Sequence, residues 1–142
     1  VNDAPDSLRI RRAAVTDGPA LTELMRRSRA YQGRYASILA GYEVSAAQLA
    51  RDEVHAGTVG ECLAGFYSLV VAADDAELDL LFVDDAHQGR GFGARLFEHM
   101  RTQAIGRGCR AVRIVSHPPA ERFYQRMGAE RVGTKPASGR VT

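Results

Sequence analysis

Residues 78–97 constrain this chain more than any other stretch. An apolar run from Leu78 to Val83 leads into a segment with glycine at positions 89, 91 and 93, after which Leu96, Phe97 and Met100 recur at helical spacing. The run reads as a buried strand, the glycines as a tight turn and the periodic residues as the core-facing stripe of a helix. Such a turn leaves several backbone N–H groups unpaired at a helix N-terminus, where aligned peptide dipoles favour negative charge, so the ligand it suits is a phosphate or pyrophosphate. Without a Cβ, Gly89, Gly91 and Gly93 can take left-handed conformations and let a phosphate come close, while Arg90 and Arg95 add positive charge.

Spacing separates three kinds of phosphate loop. A nucleoside-triphosphate loop needs Lys and then Ser or Thr after its last glycine, and no Lys follows any of these glycines. Gly89, Gly91 and Ala94 formally fit the dinucleotide pattern, but the acidic residue expected about 20 positions on is missing between Gly108 and Ser116. The third pattern, Gln-x-x-Gly-x-Gly beginning five residues after Val83, is filled by Gln88, Gly91 and Gly93. It resembles the acetyl-CoA pyrophosphate loop of the GNAT superfamily of N-acyltransferases. Downstream, Ala120, Phe123, Tyr124 and Gly128 resemble that family's Ala-x-x-Phe-Tyr-x-x-x-Gly-Phe element, with Ala129 in the last place. The resemblance is strong over residues 77–129 and weaker before them.

The resemblance implies a single α/β domain over residues 1–142, a mixed and mostly antiparallel sheet flanked by helices, that transfers acetyl from acetyl-CoA to a primary amine. It implies main-chain contacts to the pantetheine arm from Leu81, Phe82 and Val83, where the strand splays from its neighbour. The pyrophosphate contacts fall on Gln88, Gly89, Arg90, Gly91, Phe92, Gly93 and Ala94, with Gln88 fixing the loop. His117 stands where many relatives carry an Asn that contacts the cofactor; a half-exposed loop histidine is the alternative reading. Tyr31, Arg34 and Tyr35 fall in the connection that often walls the acceptor site, and packing at a helix–helix joint explains them equally well.

Acyl transfer sets its own requirements. A protonated amine cannot attack, an oxyanion must be stabilised, and a thiolate leaves better when protonated. Tyr124 aligns with the family's usual proton donor, and a phenol with an unperturbed pKa of about 10 is protonated at neutral pH; a core aromatic beside Phe123 is the plainer alternative. Glu77 aligns with the general base of the histone-acetyltransferase branch. Asp79 lies two residues on and shares its face unless a bulge intervenes, and water or an already neutral amine would relieve either carboxylate of the task. Another branch places its base on the following strand, where this chain has Val112. Neither Cys62 nor Cys109 occupies a family catalytic position, which favours direct attack over a covalent enzyme intermediate. The reading from a different functional class is a non-catalytic acyl-CoA-binding regulatory module.

Composition adds exclusions. Nineteen basic and 17 acidic residues give a net charge of +2, too balanced to argue for nucleic acid. No apolar run approaches a membrane span and no secretory leader is recognisable, so the cytoplasm is the expected location. Two cysteines in unrelated stretches and no clustered histidines indicate neither disulfide nor metal, and both cysteines read as small core residues. Many relatives pair, so a homodimer is compatible with the chain.

Local patterns predict a first strand from Leu8 ending near Ala13, and a helix starting at Asp17 with Leu21, Leu24 and Met25 inward. They predict a second helix from a Ser45–Gln48 capping box to about His55, and two short strands around Gly57, Gly60 and Gly65, the clearer holding Phe66 and Leu69 against the core. A strand over 111–115, a short helix closed by Gly128 and a further strand from Glu130 complete the reading, in which His87 is a surface residue and residues 135–142 stop where the family usually adds a last strand.

Overall fold

The computed structural model describes residues 7–28, 42–116, 120–130 and 132. Along the chain run β1 (Arg9–Arg12), α1 (Gly18–Arg27), α2 (Ala46–Arg51), β2 (Glu53–Val59), β3 (Cys62–Ala72), β4 (Asp75–Val83), α3 (Phe92–Gly106), β5 (Ala111–Ile114) and α4 (Glu121–Arg126). The strands lie side by side in chain order, antiparallel from β1 to β4 and parallel between β4 and β5. This is the mixed, mostly antiparallel sheet expected, and it differs from the doubly wound parallel sheet of a dinucleotide-binding domain.

Helices cover both faces. Leu21, Leu24 and Met25 of α1 and Leu49 of α2 pack with Val54, Ala56, Phe66, Leu80 and Phe82 on one side. Leu96, Phe97, Met100 and Ala104 of α3, joined by Tyr124 of α4, pack with Tyr67, Leu69, Ala76 and Leu78 on the other. Each fully buried Leu or Phe contributes about 1.5–3 kcal/mol, so a one-residue slip of any central strand would forfeit many such terms at once.

Two bulges nonetheless shift the register. Ser68 pairs with Leu80 but Leu69 pairs with Leu78, which leaves Asp79 as an extra residue in β4. Before it, Ala76 and Leu78 face α3; after it, Leu80 and Phe82 face α1 and α2. A second irregularity, between Gly57 paired with Gly65 and Thr58 paired with Leu63, leaves Ala64 extra in β3.

The α3 face also buries polar groups. His55 Nε2 lies 3.0 Å from Glu53 Oε1, the Tyr67 hydroxyl lies 2.8 Å from His99 Nδ1, and the two imidazoles are 4.8 Å apart. Glu53 is further paired with Arg12 at 3.3 Å and with Arg107. Burial lowers the pKa of both histidines, and His55 adds to the effect on His99.

Several local expectations are corrected. The second helix ends at Arg51, not near His55. Glu53–Val59 is strand because Val54 and His55 pair with β3 while Ala13 donates to the Val54 carbonyl at 2.8 Å. The Ser45 hydroxyl caps the helix by accepting from the Gln48 amide at 3.1 Å, but the Gln48 side chain reaches into the protein and does not complete the box. Phe66 and Leu69 are both buried, on opposite faces. Cys62 is exposed, not core, because it opens β3 at a hairpin; Cys109 is half-buried. Glu130 and Val132 belong to no strand, and Val132 is 97% exposed. Residues 135–142 lie outside the described residues. No helix among the described residues is long and apolar enough to cross a membrane.

Candidate active site

The glycine segment is held at its base by main-chain bonds. The Asp84 amide donates to the Ala64 carbonyl at 2.7 Å, extending the β3–β4 ladder one residue, and the His87 amide donates to the Asp84 carbonyl at 2.8 Å. Gln88 then reaches back, its Nε2 donating to the Val83 carbonyl at 2.9 Å. Gly89 and Gly91 have φ of 76° and 78°, left-handed values that most side chains resist, and Gly91 caps α3. The Arg95 amide donates back to the Gly91 carbonyl at 3.1 Å, so the amides of Phe92, Gly93 and Ala94 head the helix as first-turn donors with no partner among the described residues. The Phe92 side chain is buried against the His87 ring.

Gly93 ties the two sequence motifs together. A Cβ there would stand 3.3 Å from the Phe123 ring, so its bareness lets α4 pack on the first turn of α3. His87 is not a surface residue. Its ring lies over Phe92, 3.9 Å from an Asp84 oxygen, and its buried Nδ1 has no hydrogen-bond partner among the described residues.

Beside this loop the sheet opens. Pairing between β4 and β5 runs from Asp75 opposite Ala111 to Leu78 opposite Ile114 and then stops. The last five residues of β4, Leu81, Phe82 and Val83 among them, therefore have no β5 partner on that edge among the described residues. That edge of β4, beyond its pairing with β5, is the kind of arrangement an extended ligand needs to add like a strand.

The titratable candidates lie on both sides of the gap. Tyr124 is buried on the α3 face, its ring 5.2 Å from that of Phe123 and 6.1 Å from that of Phe97. Burial pushes its pKa up, and its hydroxyl makes no hydrogen bond among the described residues, which leaves a protonated donor uncommitted. Glu77 and Asp79 lie on the other face, because the bulge falls at Asp79 itself. Glu77 is half-exposed, 3.9 Å from Arg113. Asp79 is buried, with Gln48 Nε2 at 3.4 Å and the Tyr42 hydroxyl at 3.5 Å from its Oδ2. Tyr42 also donates to Gln48 Oε1 at 2.8 Å, and Gln48 donates to the Ser68 hydroxyl at 3.1 Å. No hydrogen bond or ion pair among the described residues joins Tyr124 to either carboxylate.

Sequence reasoning did not anticipate Tyr42, Gln48 and Ser68 around Asp79. The one local signal, the polar Gln48, was absorbed by its position behind Ser45. Val112 is a half-buried core residue. Tyr31, Arg34, Tyr35 and His117 lie outside the described residues.

A model of the acetyltransferase (GNAT) family matches residues 21–129. Among solved structures, the paiA N-acetyltransferase of Thermoplasma acidophilum in complex with coenzyme A superposes with a TM-score of 0.77 at 19% identity, over 92% of this chain and 94% of that one. A ribosomal-protein-alanine N-acetyltransferase from Brucella melitensis has a TM-score of 0.71 at 16% identity, over 90% and 95%. An aminoglycoside acetyltransferase from an uncultured soil metagenomic sample, in complex with trehalose, has a TM-score of 0.69 at 19% identity, over 92% and 94%. These likenesses are of fold. No curated protein sequence matches the chain.

Proposed function

We propose, for a chain that belongs to the GNAT acetyltransferase family, transfer of acetyl from acetyl-CoA to a primary amine of a small molecule or peptide, by direct attack of the amine. Acetyl-CoA is the co-substrate of the family, and it supplies an electrophilic thioester carbonyl and a thiolate leaving group. The observation that carries the reading is the strand β4, which among the described residues has no β5 partner after Leu78 and runs five residues further, toward a loop of left-handed glycines at a helix N-terminus. A pyrophosphate suits the first-turn amides of α3, and an extended amide-bearing arm suits the open edge of β4.

The remaining roles belong to side chains. The Tyr124 hydroxyl, protonated and without a partner among the described residues, donates a proton to the departing sulfur. On the opposite face a β4 carboxylate accepts the proton of the attacking amine. Glu77, half-exposed, is suited to doing so through water, whereas Asp79 sits deeper among Tyr42, Gln48 and Ser68. Main-chain amides along the open edge stabilise the oxyanion. A covalent route has no evident carrier, since Cys62 opens the β2–β3 hairpin and Cys109 follows α3, both remote in sequence from the loop.

Calorimetric titration with acetyl-CoA, with NAD as a control, tests the binding half of this reading. Micromolar binding of acetyl-CoA alone is expected. An amine screen that follows release of free CoA thiol then tests the transfer half, and hydrolysis without any acceptor-dependent rate would overturn it.

A further inference from the structure

The residue that follows β4 is a hub. All three polar parts of Asp84 are engaged: its amide with Ala64, its carbonyl with His87, and its carboxylate with a residue from the far side of the sheet. That residue is Arg27, in the last turn of α1. Its Nε donates to Asp84 Oδ1 at 3.3 Å and a terminal nitrogen donates to Oδ2 at 3.0 Å, a two-pronged guanidinium–carboxylate contact. Glu23, one turn back, lies 3.6 Å from the same guanidinium, and the His87 ring nitrogen is 3.9 Å from Asp84 Oδ2.

Electrostatics makes this contact more than a strut. Asp84 and Asp85 stand at the start of the loop that the proposed function assigns to a dianionic pyrophosphate, and a bare carboxylate there would oppose the ligand. The Asp84 carboxyl is mostly covered, so water screens it poorly, whereas the Arg27 fork neutralises it and lowers its pKa from the usual carboxylate value. The same fork fixes the turn from which Gln88 reaches back to Val83.

We infer that Arg27 and Asp84 form a positioning pair for acetyl-CoA, in which Arg27 orders the base of the glycine loop and cancels a carboxylate that would otherwise repel the pyrophosphate. The inference rests on the acetyl-CoA reading above and adds to it a residue from α1, outside both sequence motifs.

A double-mutant cycle read by calorimetric titration with acetyl-CoA tests it. Arg27→Ala should weaken binding by about tenfold, because it both loosens the loop and unmasks the charge. Asp84→Asn should weaken it by only about threefold, since it loosens the loop without leaving a charge. The double variant should bind more tightly than Arg27→Ala alone, a partial recovery that a merely structural contact would not produce. Arg27→Lys should fall between wild type and Arg27→Ala, its ammonium restoring the charge but not the fork. Arg110→Ala, which breaks the 2.8 Å ion pair with Asp74 at the β3–β4 hairpin, controls for general loss of stability and should bind as wild type does. Arg27→Ala binding like wild type, or a double variant as weak as Arg27→Ala, would overturn the pair while wild-type binding kept the acetyl-CoA reading intact. A wild-type protein that does not bind acetyl-CoA would overturn the reading itself and the inference with it.

Discussion

Replacing Gly65 by alanine should strike the sheet and the proposed ligand edge together. Gly65 lies in β3 opposite Val83. A Cβ built on it stands 2.5 Å from the Phe82 carbonyl oxygen, 3.0 Å from Leu96 Cδ1 and 3.3 Å from Val83 Cα. Carbon–oxygen contacts settle at about 3.3–3.6 Å, so the new methyl overlaps the carbonyl by nearly an ångström. The carbonyl belongs to a strand laddered to β3 before and after this point and cannot swing away alone, and Leu96 is fully buried. Overpacking of this kind costs about 3 kcal/mol, the upper end of its range because backbone must move. The stiffer unfolded chain returns about 0.7 kcal/mol. The net loss of about 2 kcal/mol corresponds to a fall in Tm of roughly 8 °C for a chain of this size. Displacement of Phe82 and Val83 should also weaken acetyl-CoA binding several-fold. Thermal unfolding followed by circular dichroism, with titration at a temperature where both proteins are folded, measures both effects. A Tm within 2 °C of wild type would refute the steric argument. Gly106 provides the contrast: a Cβ there meets nothing within 4 Å at the end of α3, so Gly106→Ala should raise stability by about 0.5–1 kcal/mol.

Tyr124→Phe should lower turnover by on the order of a hundredfold while leaving the acetyl-CoA dissociation constant near normal, and unchanged turnover would remove the hydroxyl from the mechanism. Gln88→Ala frees the Val83 carbonyl from its side-chain donor and should weaken acetyl-CoA binding about fivefold with little change in Tm; equal affinities would show that the glycines hold the loop alone. The histidine pair on the α3 face makes stability fall with acid. Because His55 and His99 have folded pKa values below their unfolded value of about 6.5, their contribution is complete above that pH and is lost as pH falls below it, where the unfolded chain takes up protons that the fold refuses. The salt-bridged carboxylates Asp17, Glu53 and Asp84, whose pKa values are lowered, act separately below about pH 4. Tm profiles between pH 7 and 5 should therefore be flatter for His99→Gln than for wild type, and parallel profiles would exclude the histidine pair.

What the sequence made legible is what short range determines. The glycine loop, its strand and its helix announce themselves because positive φ, strand end and apolar period all lie within twenty residues, and Gly128, with φ of 100°, closes α4 for the same reason. The misread stretch, Glu53 to His55, continues a helical pattern in isolation and is claimed by pairing partners from β1 and β3 that no local window contains. The His55–His99 pair and the Arg27–Asp84 contact are invisible for the same reason, since each joins residues more than forty positions apart. In the site, Gln88 and the glycines were readable, whereas the polar setting of Asp79 depends on a bulge that alternation of residue types does not reveal.

That bulge makes strand length itself informative. With Leu69 opposite Leu78 and Ser68 opposite Leu80, excising Asp79 would leave every other residue of β4 opposite its present neighbour and facing the same side, whereas removing any interior residue before or after it would turn part of the strand inside out. Asp79 is thus the one position in β4 that the packing arithmetic does not require. A chain lacking it should fold around an unchanged core with a straighter strand, and whatever catalytic capacity disappears with that single residue measures what the protein keeps it for.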